Sequence, residues 1–251
     1  MSNRFELRTG AEARAGAAID EGLRAYMLRV YNYMTGGLAI TGIVAYLTAQ
    51  LAVVTDPATG QIVGATQFGA TLFGSPLVWL VMLAPLGAVF FLGFRIHKLQ
   101  LSTAQAVFWG FSVLMGLSLA TIFIQFTGAS IARVFFITAG TFAAMSLYGY
   151  TTKKDLTGWG SFLFMGLIGI IIASVVNMFI ASSALHFAVS VIGVLVFTGL
   201  TAYDTQRIKN VYYEGDSSET EGKKALMGAL SLYLDFINLF IMLMRLLGER
   251  R

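Results

Sequence analysis

Seven apolar runs, each close to twenty residues long, dominate this chain of 251 residues. A helix needs about 20 apolar residues to cross the roughly 30 Å hydrocarbon layer of a bilayer. The runs lie at about 30–53, 77–96, 104–126, 131–150, 159–180, 184–206 and 225–247. Lipid offers backbone groups no hydrogen-bond partner, so such runs must be helices or strands of a closed barrel. Runs of this length are helices. The expected fold is an all-α integral membrane protein of seven transmembrane helices. Composition agrees: 57% of residues are hydrophobic and only 12% charged, where a soluble domain carries about 25% charge. The expected division is a tail over 1–27 and one transmembrane domain over 28–251.

Short breaks separate the runs and carry turn residues and charge. The first, about 54–75, is the longest and is expected at the membrane interface. Of the 17 Lys and Arg, 13 fall on one face: five through Arg29, then Arg95 and Lys98, Lys153 and Lys154, and Arg207, Lys209, Lys223 and Lys224. By the positive-inside rule that face, with the N-terminus, is cytoplasmic. Arg133, Arg245, Arg250 and Arg251 dissent on the other face. A last span of about 22 residues is long enough for a full crossing that leaves the C-terminus outside, and re-entry is the alternative. Basic residues spaced singly or in pairs are topology signals, not a phosphate-tracking patch, which argues against nucleic acid.

The chain has no cysteine and two histidines, His97 and His186, at the ends of different spans, so neither a disulfide nor a zinc site is expected. Small residues at Ser112, Gly116 and Ala120, and at Gly169 and Ala173, are spaced to let helices approach closely. Trp79, Trp109, Trp159 and the tyrosines at 31, 33, 148 and 150 are expected as interface anchors.

Two carboxylates break the apolar pattern, Asp204 in LTAYDTQRIK and Asp235 in ALSLYLDFINLF. An Asp at mid-bilayer costs roughly 2.5–3.5 kcal/mol on insertion scales, and such residues mark functional sites. Asp204 stands about 7–8 Å from Lys209, and Asp235 about 16 Å from Lys224. For them to meet, the last helix must tilt or project its first turns beyond the bilayer. Ser231, Asp235 and Asn238 share one face of that helix, and Thr201 lies one turn from Asp204. Arg95 ends the second span on the same face, and a guanidinium there can reach a carboxylate. Two carboxylates in a dry cleft cannot both ionise cheaply, and they titrate as a unit. Their oxygens also suit a hard cation such as calcium.

LTAYDTQRIK followed by ALSLYLDFINLFIMLMRLLG closely resembles the C-terminal signature of the Bax inhibitor-1 family. RAYMLRVYNYM and YGYTTKKDLTGWG resemble its bacterial, YccA-like branch. The resemblance implies a C-terminal helix that is central and wrapped by the other six, in the bacterial inner membrane. It implies a pH-sensitive calcium leak channel, gated by a di-aspartyl pair at Asp204 and Asp235 with an arginine latch at Arg95. Calcium is then the permeant or bound ion, with no further cofactor and no enzymatic activity. Some relatives carry an acid in the second span, where this chain reads LVMLAPLGAVFF. The branch also includes a modulator of a membrane-anchored ATP-dependent protease, a partner for which the tail over 1–27 would serve as handle. A di-aspartyl intramembrane protease is the least favoured reading, because Asp235 lacks the preceding Gly-x-Gly and no Pro-Ala-Leu follows.

Overall fold

The computed structural model describes residues 2–58 and 61–251, with side chains from Glu21 onward. Among the described residues there are eight helices and one two-stranded sheet: α1 Ser2–Ala52, β1 Val53–Thr55, β2 Ile62–Ala65, α2 Gln67–Gly74, α3 Leu77–Arg95, α4 Leu101–Gln125, α5 Gly128–Thr151, α6 Thr157–Ile180, α7 Ser183–Val211 and α8 Ser218–Leu247. Seven of them, α1 from Glu21 and α3 to α8, are long and apolar enough to cross a membrane. The expected tail over 1–27 falls largely on residues whose side chains lie outside the described set.

Besides α1, which begins at Ser2, two helices run well past the limits that hydropathy set. α7 runs on to Val211, and α8 begins at Ser218. Hydropathy marks where lipid ends, whereas a helix stops where its backbone finds a cap. The Ser217 hydroxyl accepts from the Thr220 N–H, and Glu219 and Glu221 sit in the first turn, where the helix dipole favours negative charge. The opening turns of α8 therefore precede its apolar stretch, as a meeting of Asp204 and Asp235 requires.

α8 is the most buried span. Of its most apolar 18-residue stretch 72% is buried, against 39% or less in every other span. Its principal neighbours are α1, α4, α5 and α7, while α3 packs on α4 and α6 on α7. α3 and α6 accordingly turn large apolar side chains outward, Phe94 and Phe179 among them, as lipid-facing surfaces do.

Close approach is concentrated where α1 meets α4. A Cβ on Gly116 would stand 2.9 Å from the Thr41 carbonyl and 2.7 Å from Val44 Cβ, and one on Gly37 would stand 3.0 Å from Ser112 Oγ. Ser112, Gly116 and Ala120 are all buried, as their spacing suggested. Gly169 is different: a Cβ there meets nothing within 4 Å, so the Gly169–Ala173 pair is not a tight seam. The tyrosines also depart from expectation. Tyr31 is hydrogen-bonded to Ser146 at 2.6 Å, Tyr33 to Gln105, and Trp109 packs on Phe108 within the bundle.

The long first loop carries regular structure among its described residues. β1 and β2 pair antiparallel, with a register irregularity between Val54 and Thr55, and Thr66 caps α2 through the Gly69 N–H. At the far end of the bundle the C-terminal residues dock on the α4–α5 junction. The Thr127 N–H donates to the Glu249 carbonyl and the Arg251 N–H to that of Gln125, both at 3.0 Å. Arg133 pairs with Glu249 at 2.7 Å. The start of α8 is tied to α1 instead, through Arg29 and Glu221 at 3.4 Å. α8 is thus one continuous helix whose two ends are held at different places, by α1 and by the α4–α5 junction.

Replacing Gly116 with Ala is expected to lower stability by about 1–3 kcal/mol through overpacking. Gly169→Ala is expected to be neutral or slightly stabilising, since Ala is the better helix former. Thermal unfolding of the two variants in one detergent checks this; equal shifts would contradict the packing assignment.

Candidate functional site: a buried carboxyl pair and its guanidinium

Asp204 lies in the C-terminal third of α7, and Asp235 lies at mid-helix in α8. Both are buried, at 8% and 5% exposure. α7 and α8 pack along each other, and this brings the two carboxyl groups within side-chain hydrogen-bonding range. A hydrogen bond between two carboxyl groups requires a proton between them. Asp235 Oδ2 is buried and has no donor, which leaves one acceptor atom unsatisfied in the middle of the bundle. Such a group costs about 1–3 kcal/mol.

The guanidinium at the pair is not Arg95. Arg95 ends α3 exposed and makes no ion pair among the described residues. Arg207 takes the place assigned to it: its Nη2 lies 3.1 Å from Asp204 Oδ1 and donates to Ser231 Oγ at 3.2 Å. The guanidinium also stands 5.7 Å from the centre of the Tyr203 ring, within cation–π range. The reason is the length of α7. Because the helix continues past the apolar stretch, Arg207 remains three residues on from Asp204 on the same face. The spacing Asp-x-x-Arg is the signal that identifies it.

The supporting polar residues divide. Ser231 joins the site through Arg207. Thr201 donates to the Phe197 carbonyl and Asn238 to the Leu234 carbonyl, both at 2.8 Å within their own helices. Behind the pair runs a chain of hydroxyls that the apolar pattern concealed. Thr205 donates to the Thr201 carbonyl at 2.7 Å, so Ser146 must donate to Thr205 at 2.9 Å, and Tyr31 to Ser146 at 2.6 Å. On the other side, Thr41 donates to the Ser112 carbonyl and Tyr233 to Thr41. These contacts fix α7 to α5 and α1, and α8 to α1 and α4. Gln206, beside the pair, accepts from the Leu156 N–H and donates to the Lys154 carbonyl, both at 2.8 Å, so the α5–α6 loop is clamped to the same turn of α7.

A cleft of about 490 Å³ opens on Arg207 and Ser231 from the end of the bundle where α8 begins, and His97, Lys223 and Lys224 also line it. Lys223 and Lys224 are paired, with Glu219 and Asp216. Calcium takes six to eight oxygen ligands. Among the described residues no group of three or more His, Cys, Asp or Glu gathers.

A double-mutant cycle distinguishes the two arginines. Arg207 and Asp204 are expected to couple by about 0.5–1 kcal/mol, discounted because the guanidinium is half exposed. Arg95 and Asp204 are expected to couple by about zero. Thermal unfolding of Asp204→Asn with Arg207→Ala or Arg95→Ala measures both; coupling to Arg95 alone would contradict the geometry.

Comparison with known proteins places the chain. The family profile described as "Inhibitor of apoptosis-promoting Bax1" matches residues 23–251. A Rickettsia prowazekii protein, RP147, is 50% identical over 234 residues, covering 92% of each chain. Inner membrane protein YbhL of Escherichia coli K12 is 47% identical over 234 residues, covering 92% of this chain and 94% of its own. A Caulobacter vibrioides protein is 44% identical over 250 residues, covering 99% and 98%. With seven apolar helices and a match over nearly its whole length, the chain belongs to the Bax inhibitor-1 family of membrane proteins.

Proposed function

We propose that this protein is a pH-sensitive calcium leak channel of the bacterial inner membrane, with Asp204 and Asp235 as its gate and Arg207 as the latch. The observation that carries this reading is the buried carboxyl pair, in which Asp235 neighbours Asp204 and leaves its Oδ2 a buried acceptor with no donor. Helix packing alone does not call for an unsatisfied oxygen at the centre of the most buried helix. The placement is supported by the name of the E. coli relative, and the cytoplasmic position of the N-terminus by the Lys and Arg asymmetry.

The resting arrangement follows from charge. With one proton shared, the pair carries a single negative charge, and Arg207 holds it. The cleft admits water and ions as far as the guanidinium. Beyond it, Phe236, Leu239, Phe240 and Leu243 of α8 are buried, a dry apolar layer of the kind that closes pores. A second proton removes the charge and with it the pull of Arg207 across to Asp235, which leaves the Arg207–Ser231 hydrogen bond as the polar link at this turn and lets α7 and α8 part. Flux therefore rises as pH falls, along a titration that belongs to the pair. Calcium passing through meets carboxyl oxygens, its preferred ligands.

Calcium flux into proteoliposomes across pH tests this. Asp204→Asn is expected to flatten the pH response. Arg207→Ala is expected to raise basal flux about two- to fivefold, the factor that a part-exposed ion pair of about 0.5–1 kcal/mol supplies, and Arg95→Ala to leave it unchanged. An unshifted pH profile in correctly inserted Asp204→Asn protein would reduce the pair to a helix-packing contact.

A further inference from the structure

Three of the four arginines that oppose the positive-inside pattern come from the last seven residues, and two of them converge on one place. Arg245, in the last turn of α8, and Arg250, just beyond it, line a cleft of about 370 Å³ with Asn177, Ser182 and His186. A second space of about 320 Å³ shares Asn177, His186 and Arg245. The site lies where α6 ends and α7 begins, at the opposite end of the bundle from the carboxyl pair's cleft.

The chemistry of its lining is one-sided. No carboxylate lines either space. Among the described residues the Arg245 side chain has no ion pair or hydrogen bond, and Arg250 makes a ring contact with Phe126, at 6.0 Å, besides its backbone pairing. Arginine is always charged in proteins, so two guanidiniums share a cleft without a counter-charge. Asn177 is oriented by the fold: its Oδ1 accepts from the Ser182 N–H at 3.0 Å, which leaves its Nδ2 as a donor. The turn that sets it is strained, with Ala181 in the left-handed region at φ 51°. The N-terminus of α7 adds its positive dipole end. Donors and positive charge are gathered here, and the acceptor is missing.

We infer that this cleft binds a phosphate-type oxyanion at the outer face, through Arg245 and Arg250 with Asn177 and His186. Two forks of N–H donors match the oxygens of a phosphate bidentately. The same chemistry is presented by the headgroup of an anionic phospholipid and by free phosphate. The rim carries Met178, Phe179 and Ile180, all strongly exposed apolar residues, and these suit the acyl chains of a lipid.

The test uses the full-length protein in a zwitterionic detergent free of phosphate. Thermal unfolding is followed while phosphatidylglycerol, phosphatidylcholine or sodium phosphate is added, the last against sodium chloride at equal ionic strength. Ligand bound to the folded state raises the transition temperature by mass action. Phosphatidylglycerol, and not phosphatidylcholine, is expected to raise it, and Arg245→Gln to weaken the apparent affinity about tenfold, the value of one hydrogen bond to a charged group. Arg250→Gln, beyond the helix end, provides a second variant with the same expectation, and Arg95→Gln at the other end of the bundle is expected to change nothing. A response to phosphatidylglycerol alone identifies the lipid headgroup, and a response to inorganic phosphate identifies a free anion. No response to either, or a response undiminished from that of the unsubstituted protein in both Arg245→Gln and Arg250→Gln, would overturn the site.

Discussion

A single guanidinium holds a carboxyl pair that lipid would otherwise reject. Arg207 reaches from the last turns of α7 to Asp204, and Asp204 faces Asp235 on α8. Burying a charge without a partner is strongly unfavourable, so α8 can occupy the interior only if that face meets α7 in this register. The arrangement explains why the most buried helix is also the one with an acid at its middle.

Around this contact the other polar groups act as fasteners. Thr205, Ser146 and Tyr31 tie α7 to α5 and α1, and Tyr233 and Thr41 tie α8 to α1 and α4. Hydrogen bonds of this kind between helices in lipid are worth about 0.6–2 kcal/mol each. They leave α3 and α6 outside the network. α3 gains one such link, from Ser118 to the Val81 carbonyl, and α6 is seated mainly by apolar packing on α7. The bundle is therefore graded, firm around α8 and looser at its two outer helices.

The seven spans and the two aspartates were legible in the sequence, because a period of twenty apolar residues and an acid within it are both signals that hydropathy reads directly. Arg207 was not, for a reason of the same kind. Hydropathy ended the sixth span near residue 206, and the arginine was counted as a loop charge marking topology, although α7 carried it three residues on from Asp204. Arg95 was favoured because it closed a span on the same face, a criterion blind to which way α3 lies in the bundle. Gly116 and Gly169 show a similar limit: both occur in small-residue spacings, and only contact with Thr41 and Val44 makes one of them a seam. The hairpin and α2 escaped notice because short strands and an eight-residue helix leave little periodicity to detect.

The lengths of the outer and inner helices differ in a way that bears on the surrounding membrane. α3 has 19 residues and is about 28 Å long, close to the hydrocarbon thickness itself, while α8 with 30 residues is about 45 Å. A long helix absorbs a change in bilayer thickness by tilting or by shifting its polar ends, at small cost. α3 has no such slack. In a thicker bilayer it must draw the lipid inward or stand more upright against α4, and it is among the helices least held by the rest of the bundle. Membrane thickness thus acts on this molecule first at α3, whose Gly93 lines the cleft leading to Arg207 together with Ile96 and His97 just past the helix end.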